Sequence, residues 1–167
     1  MNEPAFKTAY RKREGHPINQ YFGLVCEGFV TQADLDDPNF PVSTYGNVKV
    51  GDLKYKDINK DGFIDDRDET FIGYSDIPEN TYALTLGANY KGIGFEVMFQ
   101  GVDHVSRYYD SDAMFAFQNN GKVKDIHLNR WNPAKSESEN LATATYPLLH
   151  YGSNGDHNQR QSSFFLK

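Results

Sequence analysis

The chain has 167 residues, 14% of them aromatic, with 12 Phe, 11 Tyr and 14 Gly; it is long enough for one domain with a core and favours strands and loops over a compact helical fold. Its formal net charge is −6, which argues against a nucleic-acid partner, because the only basic run, Arg11, Lys12 and Arg13 beside Glu14, reads as a solvated face rather than a phosphate-binding stripe. The lone Cys26 excludes an internal disulfide and reads as a small packing residue, and no apolar run approaches the ~20 residues of a membrane-crossing helix.

In chain order, residues 1–20 are polar, with no apolar h-region of a signal peptide; the expectation is a cytoplasmic protein or one whose front end is missing. Gly15, His16 and Pro17 mark a turn. "QYFGLVCEGFV" (20–30) reads as a strand or hairpin. Residues 31–47, with Pro38, Pro41 and Gly46, read as loop, and Asp34 to Asp37 allow one helical turn. "GDLKYKDI" (51–58) is a short strand that enters an acidic loop. Residues 81–102 carry the strongest pattern. After Val102 about 65 residues show little regularity; "VSRYYDSDAMFAF" (105–117) is the candidate short helix, and Pro133 and Pro147 interrupt the rest. So long a stretch without elements is unusual for a closed soluble domain.

The acidic loop is "DINKDGFIDDRD" (57–68). Calcium is a hard cation that takes six to eight oxygens, and a calcium loop presents them at its first, third, fifth, seventh, ninth and twelfth places. Asp57, Asn59 and Asp61 fill the first three, Phe63 offers its carbonyl at the seventh, Asp65 stands ninth, a place that often serves through water, and Asp68 closes the loop. Gly62 supplies the bend at the sixth place, and Ile64 stands where an apolar anchor belongs. Two features depart from an EF-hand: the last ligand is the short Asp68 rather than Glu, and no flanking helix pair is visible. A loop of this kind suits calcium at extracellular concentrations, with a dissociation constant on the order of 10⁻⁴ M. A merely solvated acidic turn is the alternative.

Residues 81–102 alternate with period two. Tyr82, Leu84, Leu86, Ala88 and Tyr90 share one face of the first arm; Thr81, Ala83, Thr85, Gly87 and Asn89 share the other. Lys91 and Gly92 make a tight turn. On the return arm Ile93, Phe95, Val97 and Phe99 face one way, and Gly94, Glu96, Met98 and Gln100 the other. Ten residues at ~3.3 Å and a tilt near 45° cover roughly 23 Å of bilayer, close to the ~25 Å apolar band of an outer-membrane barrel. In that setting Tyr82 and Tyr90 stand at opposite rims and Glu96 faces the lumen. A soluble sheet with one wet face gives the same alternation.

Four stretches occur in order: "EGHPINQYFGLVCEGF", "VGDLKYKDINKDGFIDDRDETFIG", "YALTLGANYKGIGFEVMFQGV" and "NRWNPAKSESENLATATYPLL". Together they resemble the carboxy-terminal third of the SusC/RagA-type TonB-dependent outer-membrane transporters, and the resemblance covers nearly the whole chain. Asn132 stands where that family usually has Thr, Leu148 where Arg is common, and "TYALTLG" lacks the usual aromatic-Gly pair. The resemblance implies an all-β fold: antiparallel hairpins of a transmembrane β-barrel with long extracellular loops, present here only as a fragment. Residues 1–80 are then an extracellular loop region with short strands and the calcium-type loop at 57–68. Residues 81–102 are a membrane-spanning hairpin, and 103–167 a second long extracellular loop with a possible short helix.

The same resemblance implies the function of the parent protein: import of oligosaccharides or peptides across the outer membrane of a Gram-negative bacterium. A SusD-type surface lipoprotein acts as lid, and TonB acts through a plug region absent from this sequence. The expected cofactor is Ca²⁺ on Asp57, Asn59, Asp61, Phe63, Asp65 and Asp68, bracing the first loop without a hydrophobic core. No enzyme activity is expected, since His16, His104, His127, His150 and His157 show no paired spacing for zinc and read as surface or loop residues. Trp131 reads as a packed loop anchor or as a sugar platform. The competing expectation is a free-standing secreted calcium-binding or carbohydrate-binding β module.

Overall fold

The computed structural model describes residues 7–110, 114–118, 121–151 and 157–167. Among the described residues strand outweighs helix, 32% against 17%, so the fold is mostly β, with short strands, long connections and one extended hairpin. The strands are β1 (Gln20–Gly23), β2 (Cys26–Phe29), β3 (Val42–Ser43), β4 (Leu53–Tyr55), β5 (Phe63–Ile64), β6 (Thr70–Ser75), β7 (Asn80–Tyr90) and β8 (Ile93–Asp103). Among the described residues the α-helices are α1 (Gln32–Asp36) and α2 (Glu137–Thr143), and single 3-10 turns stand at Ala9–Arg11, Asp66–Asp68, Asp125–His127 and Ser163–Phe165. Among the described residues the strands pair as four two-stranded ribbons: β1 with β6, β2 with β4 and β7 with β8 antiparallel, and β3 with β5 parallel. None of these ribbons closes into a barrel.

The segment 20–30 does not fold as a hairpin on itself. A register shift in each strand and the positive φ of Gly28, 135°, separate β1 and β2 and send them to different partners. The helical turn expected near Asp34 forms as α1. Thr31 caps it through a capping box with Asp34, which satisfies the first free N–H groups of so short a helix. In the other half of the chain, the described residues of 105–117 are turns and extended chain; residues 111–113 of that candidate helix lie outside the described residues. The helix of this half stands instead at α2, where Ser136 accepts from Glu139 N and Glu137 and Glu139 occupy the first turn.

A hydrophobic core exists, contrary to the expectation of a loop braced by an ion alone. It joins Leu24, Leu53, Tyr55 and Ile64 to Phe115, Tyr146 and Phe165, so the two regions flanking the hairpin share one interior. The apparently patternless tail is central to it. Residues 157–167 run through the interior as a strap: Leu24 bridges Ser162, Tyr108 bridges Leu166, and Phe165, 1% exposed, packs edge-on to Phe115 and Phe164 at 5.0 and 4.9 Å between ring centroids. Trp131 is a buried anchor, 3% exposed, packed edge-on to Phe29 and over Gly51. A Cβ on Gly51 would stand 2.3 Å from the indole, so only glycine admits the ring there.

The hairpin stands apart from this core. Every residue of β7 is exposed, and of β8 only Val97 and Gly101 are half-buried. Lys91 and Gly92 turn the chain with φ of 48° and 85°, the left-handed pair of a type I′ turn whose twist matches the arms. The register places Tyr82 opposite Gly101, Leu84 opposite Phe99, Leu86 opposite Val97, Ala88 opposite Phe95 and Tyr90 opposite Ile93. Opposite residues share a face, so the apolar sets of the two arms merge into one face. The other face pairs Thr85 with Met98, Gly87 with Glu96 and Ala83 with Gln100.

Candidate functional site

The acidic loop hangs between β4 and β6 and is fixed at both sides. Ile64 is 3% exposed in the core, which seats the anchor expected of it. β5 lies parallel to β3, where Val42 N donates to Gly62 O at 2.9 Å and Thr44 N to Ile64 O at 3.0 Å. Carbonyls alternate along an extended chain, so the Phe63 carbonyl between them turns away from β3. Lys60 and Gly62 hold φ of 59° and 83°, and these two left-handed residues wind the chain around its own carboxylates.

The carboxylates organise the backbone. Asp57 accepts from Lys60 N at 2.6 Å and Gly62 N at 2.8 Å. Asn59 Oδ1 accepts from Asp61 N at 2.9 Å, and Asp61 Oδ1 from Phe63 N at 3.0 Å. Asp68 is fully buried, accepting from Ile58 N at 2.9 Å through Oδ1 and from Asp65 N at 3.0 Å through Oδ2. It latches the start of the loop to its ninth place. The Arg67 guanidinium lies on Asp61 and Asp65, its Nη2 at 2.9 and 2.8 Å from their Oδ2 atoms. That bond holds the Asp65 carboxyl below the usual carboxylate range.

The donors present are hard oxygens in the order calcium requires, and a side-chain cation already rests on two of them. Asp61 and Asp65 meet at one guanidinium nitrogen, but among the described residues no group of three or more His, Cys, Asp or Glu side chains is gathered so as to hold a metal ion. Asp57 and Asp68 face backbone N–H groups, while Asp61 and Asp65 face the guanidinium. Asp66 turns away to Arg160 at 3.0 Å and to the Tyr45 hydroxyl at 2.7 Å, tying the loop to the strap.

A polar cluster that the sequence did not reveal lies under the strap. Asp52, 1% exposed, accepts from Lys49 N at 2.8 Å, pairs with His150 Nε2 at 2.6 Å and accepts from Asn158 Nδ2 at 2.8 Å. His157 Nε2 stands 2.7 Å from Leu53 O and Nδ1 2.7 Å from Ser43 Oγ. A carbonyl only accepts, so Nε2 carries the proton and Ser43 donates to Nδ1. Burial lowers the His157 pKa, with its bond to Leu53 and the charge of Asp52 opposing. His127, fully buried, is held in the same way between Met114 O and Lys124 N. Of the histidines expected at the surface or in loops, His127 and His157 are buried rather than at the surface: each has both ring nitrogens occupied, which makes burial tolerable. No family model matches the chain.

Proposed function

We propose that this chain is a piece of wall and cap from an outer-membrane transporter of the SusC/RagA type, the hairpin β7–β8 standing in the bilayer and the globule around it lying outside the cell. The observation that carries the reading is the hairpin itself: an apolar face formed by Leu84, Leu86, Phe95, the half-buried Val97 and Phe99, backed by a face with Thr85, Glu96 and Gln100, with neither face buried by the other described residues. In water such a face is a liability; against lipid it is the expected surface of a barrel strand pair. The tight Lys91–Gly92 turn then faces the periplasm and the long connections face outward, the usual asymmetry of such barrels.

On this reading the parent protein imports oligosaccharides or peptides, a SusD-type lipoprotein closes over the outer side, and TonB acts through a plug elsewhere in the parent. Calcium binds the acidic loop through Asp57, Asn59, Asp61, the Phe63 carbonyl, Asp65 and Asp68. It supplies positive charge among acids that otherwise repel one another, and this chain's part is to hold those oxygens on a backbone already wound by Lys60 and Gly62.

Single spin labels placed along 82–100 of the parent protein in lipid vesicles test the membrane reading. Labels at 84, 86, 95 and 99 are expected to meet oxygen dissolved in lipid, and labels at 85, 96 and 100 a water-soluble nickel complex. Uniform access from water defeats the proposal and favours the second reading, a free-standing secreted β module, which draws on the core shared by the regions before and after the hairpin. Calcium titration calorimetry on the chain in detergent is expected to show one site, lost in Asp61→Ala; the absence of a binding signal removes the ion.

A further inference from the structure

Arg67 belongs to the acidic loop but fills none of its ligand places. Its backbone is pinned: the Tyr10 hydroxyl donates to Arg67 O at 2.8 Å, and Thr70 Oγ1 donates to Tyr10 O at 2.9 Å. Its side chain, 58% exposed, folds back over the loop. Asp61 and Asp65 each commit one oxygen to the backbone, Asp61 Oδ1 to Phe63 N and Asp65 Oδ1 to Arg67 N. The remaining oxygen of each meets the guanidinium, with Nε also 2.9 Å from Asp65 Oδ2. These are the oxygens of the fifth place, which calcium takes directly, and of the ninth, which it takes directly or through a water.

We propose that Arg67 is an internal counter-cation that competes with calcium for Asp61 and Asp65, holding the empty loop in shape and keeping its affinity for the ion low. The proposal rests on reading the loop as a calcium site. A guanidinium and an ion cannot share the same two oxygens, so binding is an exchange in which the arginine swings into water. The pinned backbone lets the side chain leave without moving the loop. A loop stocked with acids but lacking any cation repels itself; Arg67 removes part of that repulsion before the ion arrives.

Calorimetric calcium titrations of wild type, Arg67→Gln and Arg67→Lys test this, alongside hydrogen exchange of the amides at 57–65 without calcium. An exposed ion pair makes a difference of several-fold, so Arg67→Gln is expected to bind calcium about five-fold more tightly. Its ion-free loop is expected to exchange faster than that of wild type. Arg67→Lys, which keeps the charge but lacks the planar fork, is expected to fall between the two. Equal affinity in wild type and Arg67→Gln overturns the competition while leaving the calcium site intact. An Arg67→Lys affinity equal to that of wild type reduces the effect to distant charge and overturns the shared-oxygen geometry. No calcium binding by any of the three overturns both this proposal and the calcium reading.

Discussion

Two phenylalanines should respond in opposite ways to the same truncation, because the structure puts them in different surroundings. Phe165 is 1% exposed and has the rings of Phe115, Phe164, Tyr146 and Tyr108 between 4.9 and 6.5 Å away. Phe165→Ala loses that burial and leaves a cavity, at a cost of about 3–5 kcal/mol. Phe99 is 58% exposed, which for a side chain of about 200 Å² leaves roughly 115 Å² open. At about 25 cal/mol/Å² that area is worth roughly 3 kcal/mol to an apolar surrounding and nothing to water. Trp131 is the only tryptophan and is buried in the core, so its fluorescence reports unfolding of the globule. In urea titrations in mild detergent, Phe165→Ala is expected to lower the Trp131 midpoint sharply, and Phe99→Ala to leave it unchanged. In partitioning of the chain to lipid vesicles the order reverses, Phe99→Ala weakening association by about a hundred-fold. A Trp131 midpoint unmoved by Phe165→Ala would mean that the strap does not hold the core. A loss of globule stability in Phe99→Ala would mean that the hairpin packs on it after all.

Acid should weaken the globule through His157. Its pKa is lowered in the folded chain by burial, so the unfolded chain takes up the proton first. Stability from this group is complete above the unfolded value of about 6.5 and is lost as pH falls below it, by up to about 1.4 kcal/mol per pH unit, until the folded value is reached. Urea titrations between pH 7 and pH 5 should show this slope in wild type and a smaller one in His157→Gln; equal slopes would sink the assignment. Cys26 should be a slow thiol. Burial, with the charge of Glu27 adding and the bond to Gly28 opposing, pushes it up to about 11. At pH 8 its thiolate is then scarcer than that of a free cysteine by about two orders of magnitude. Iodoacetamide should label native Cys26 about a hundred-fold more slowly than the unfolded chain, and comparable rates would refute its burial.

What could be read from the sequence was local. The period of two over 82–100, the Lys91–Gly92 turn and the Ile64 anchor are all set by neighbours a few residues apart, and each takes the expected place; the order of acids from Asp57 to Asp68 is just as local, but it does not fix where their oxygens point. What could not be read was set by distant partners. Asp52 meets His150 and Asn158 across about a hundred residues, and nothing near Asp52 marks it for burial. The strap 157–167 carries no period because its residues serve different neighbours in turn: His157 lies against Tyr55, Ser162 bridges Leu24 and Leu166 packs over Gly73. Such a segment looks like a loop in sequence although it fills an interior. The turn of Arg67 onto Asp61 and Asp65 was equally hidden, since spacing shows which residues lie close along the chain but not which way a long side chain folds.

The placement of charge along the hairpin is the strongest physical argument for a lipid setting. From Tyr82 to Tyr90, roughly 26 Å at ~3.3 Å per residue, the only ionised side chain on either arm is Glu96, opposite Gly87 on the polar face. Charge reappears at both ends together. Lys91 sits in the turn, its ammonium 5.2 Å from the Tyr90 ring. At the base, Asp103 accepts from Asn80, and His104 lies 3.3 Å from Glu79 and stacks on Tyr74. A solvated ribbon gains nothing from keeping charge off one face for that whole length, and scattered lysines on its edges would protect it from self-association. A ribbon in a bilayer needs a charge-free face of about that length, polar ends and aromatic rings at the rims. Tyr82 and Tyr90, 60% and 71% exposed, stand where the proposed membrane placement puts those rims. Moving the boundary is therefore the sharpest perturbation: Leu86→Lys, at mid-height on the apolar face, should cost about 2–4 kcal/mol of membrane stability in the parent protein, whereas Thr85→Lys, one residue away on the opposite face, should cost far less. Equal effects at 85 and 86 in a lipid-vesicle unfolding assay would show that the two faces meet the same solvent.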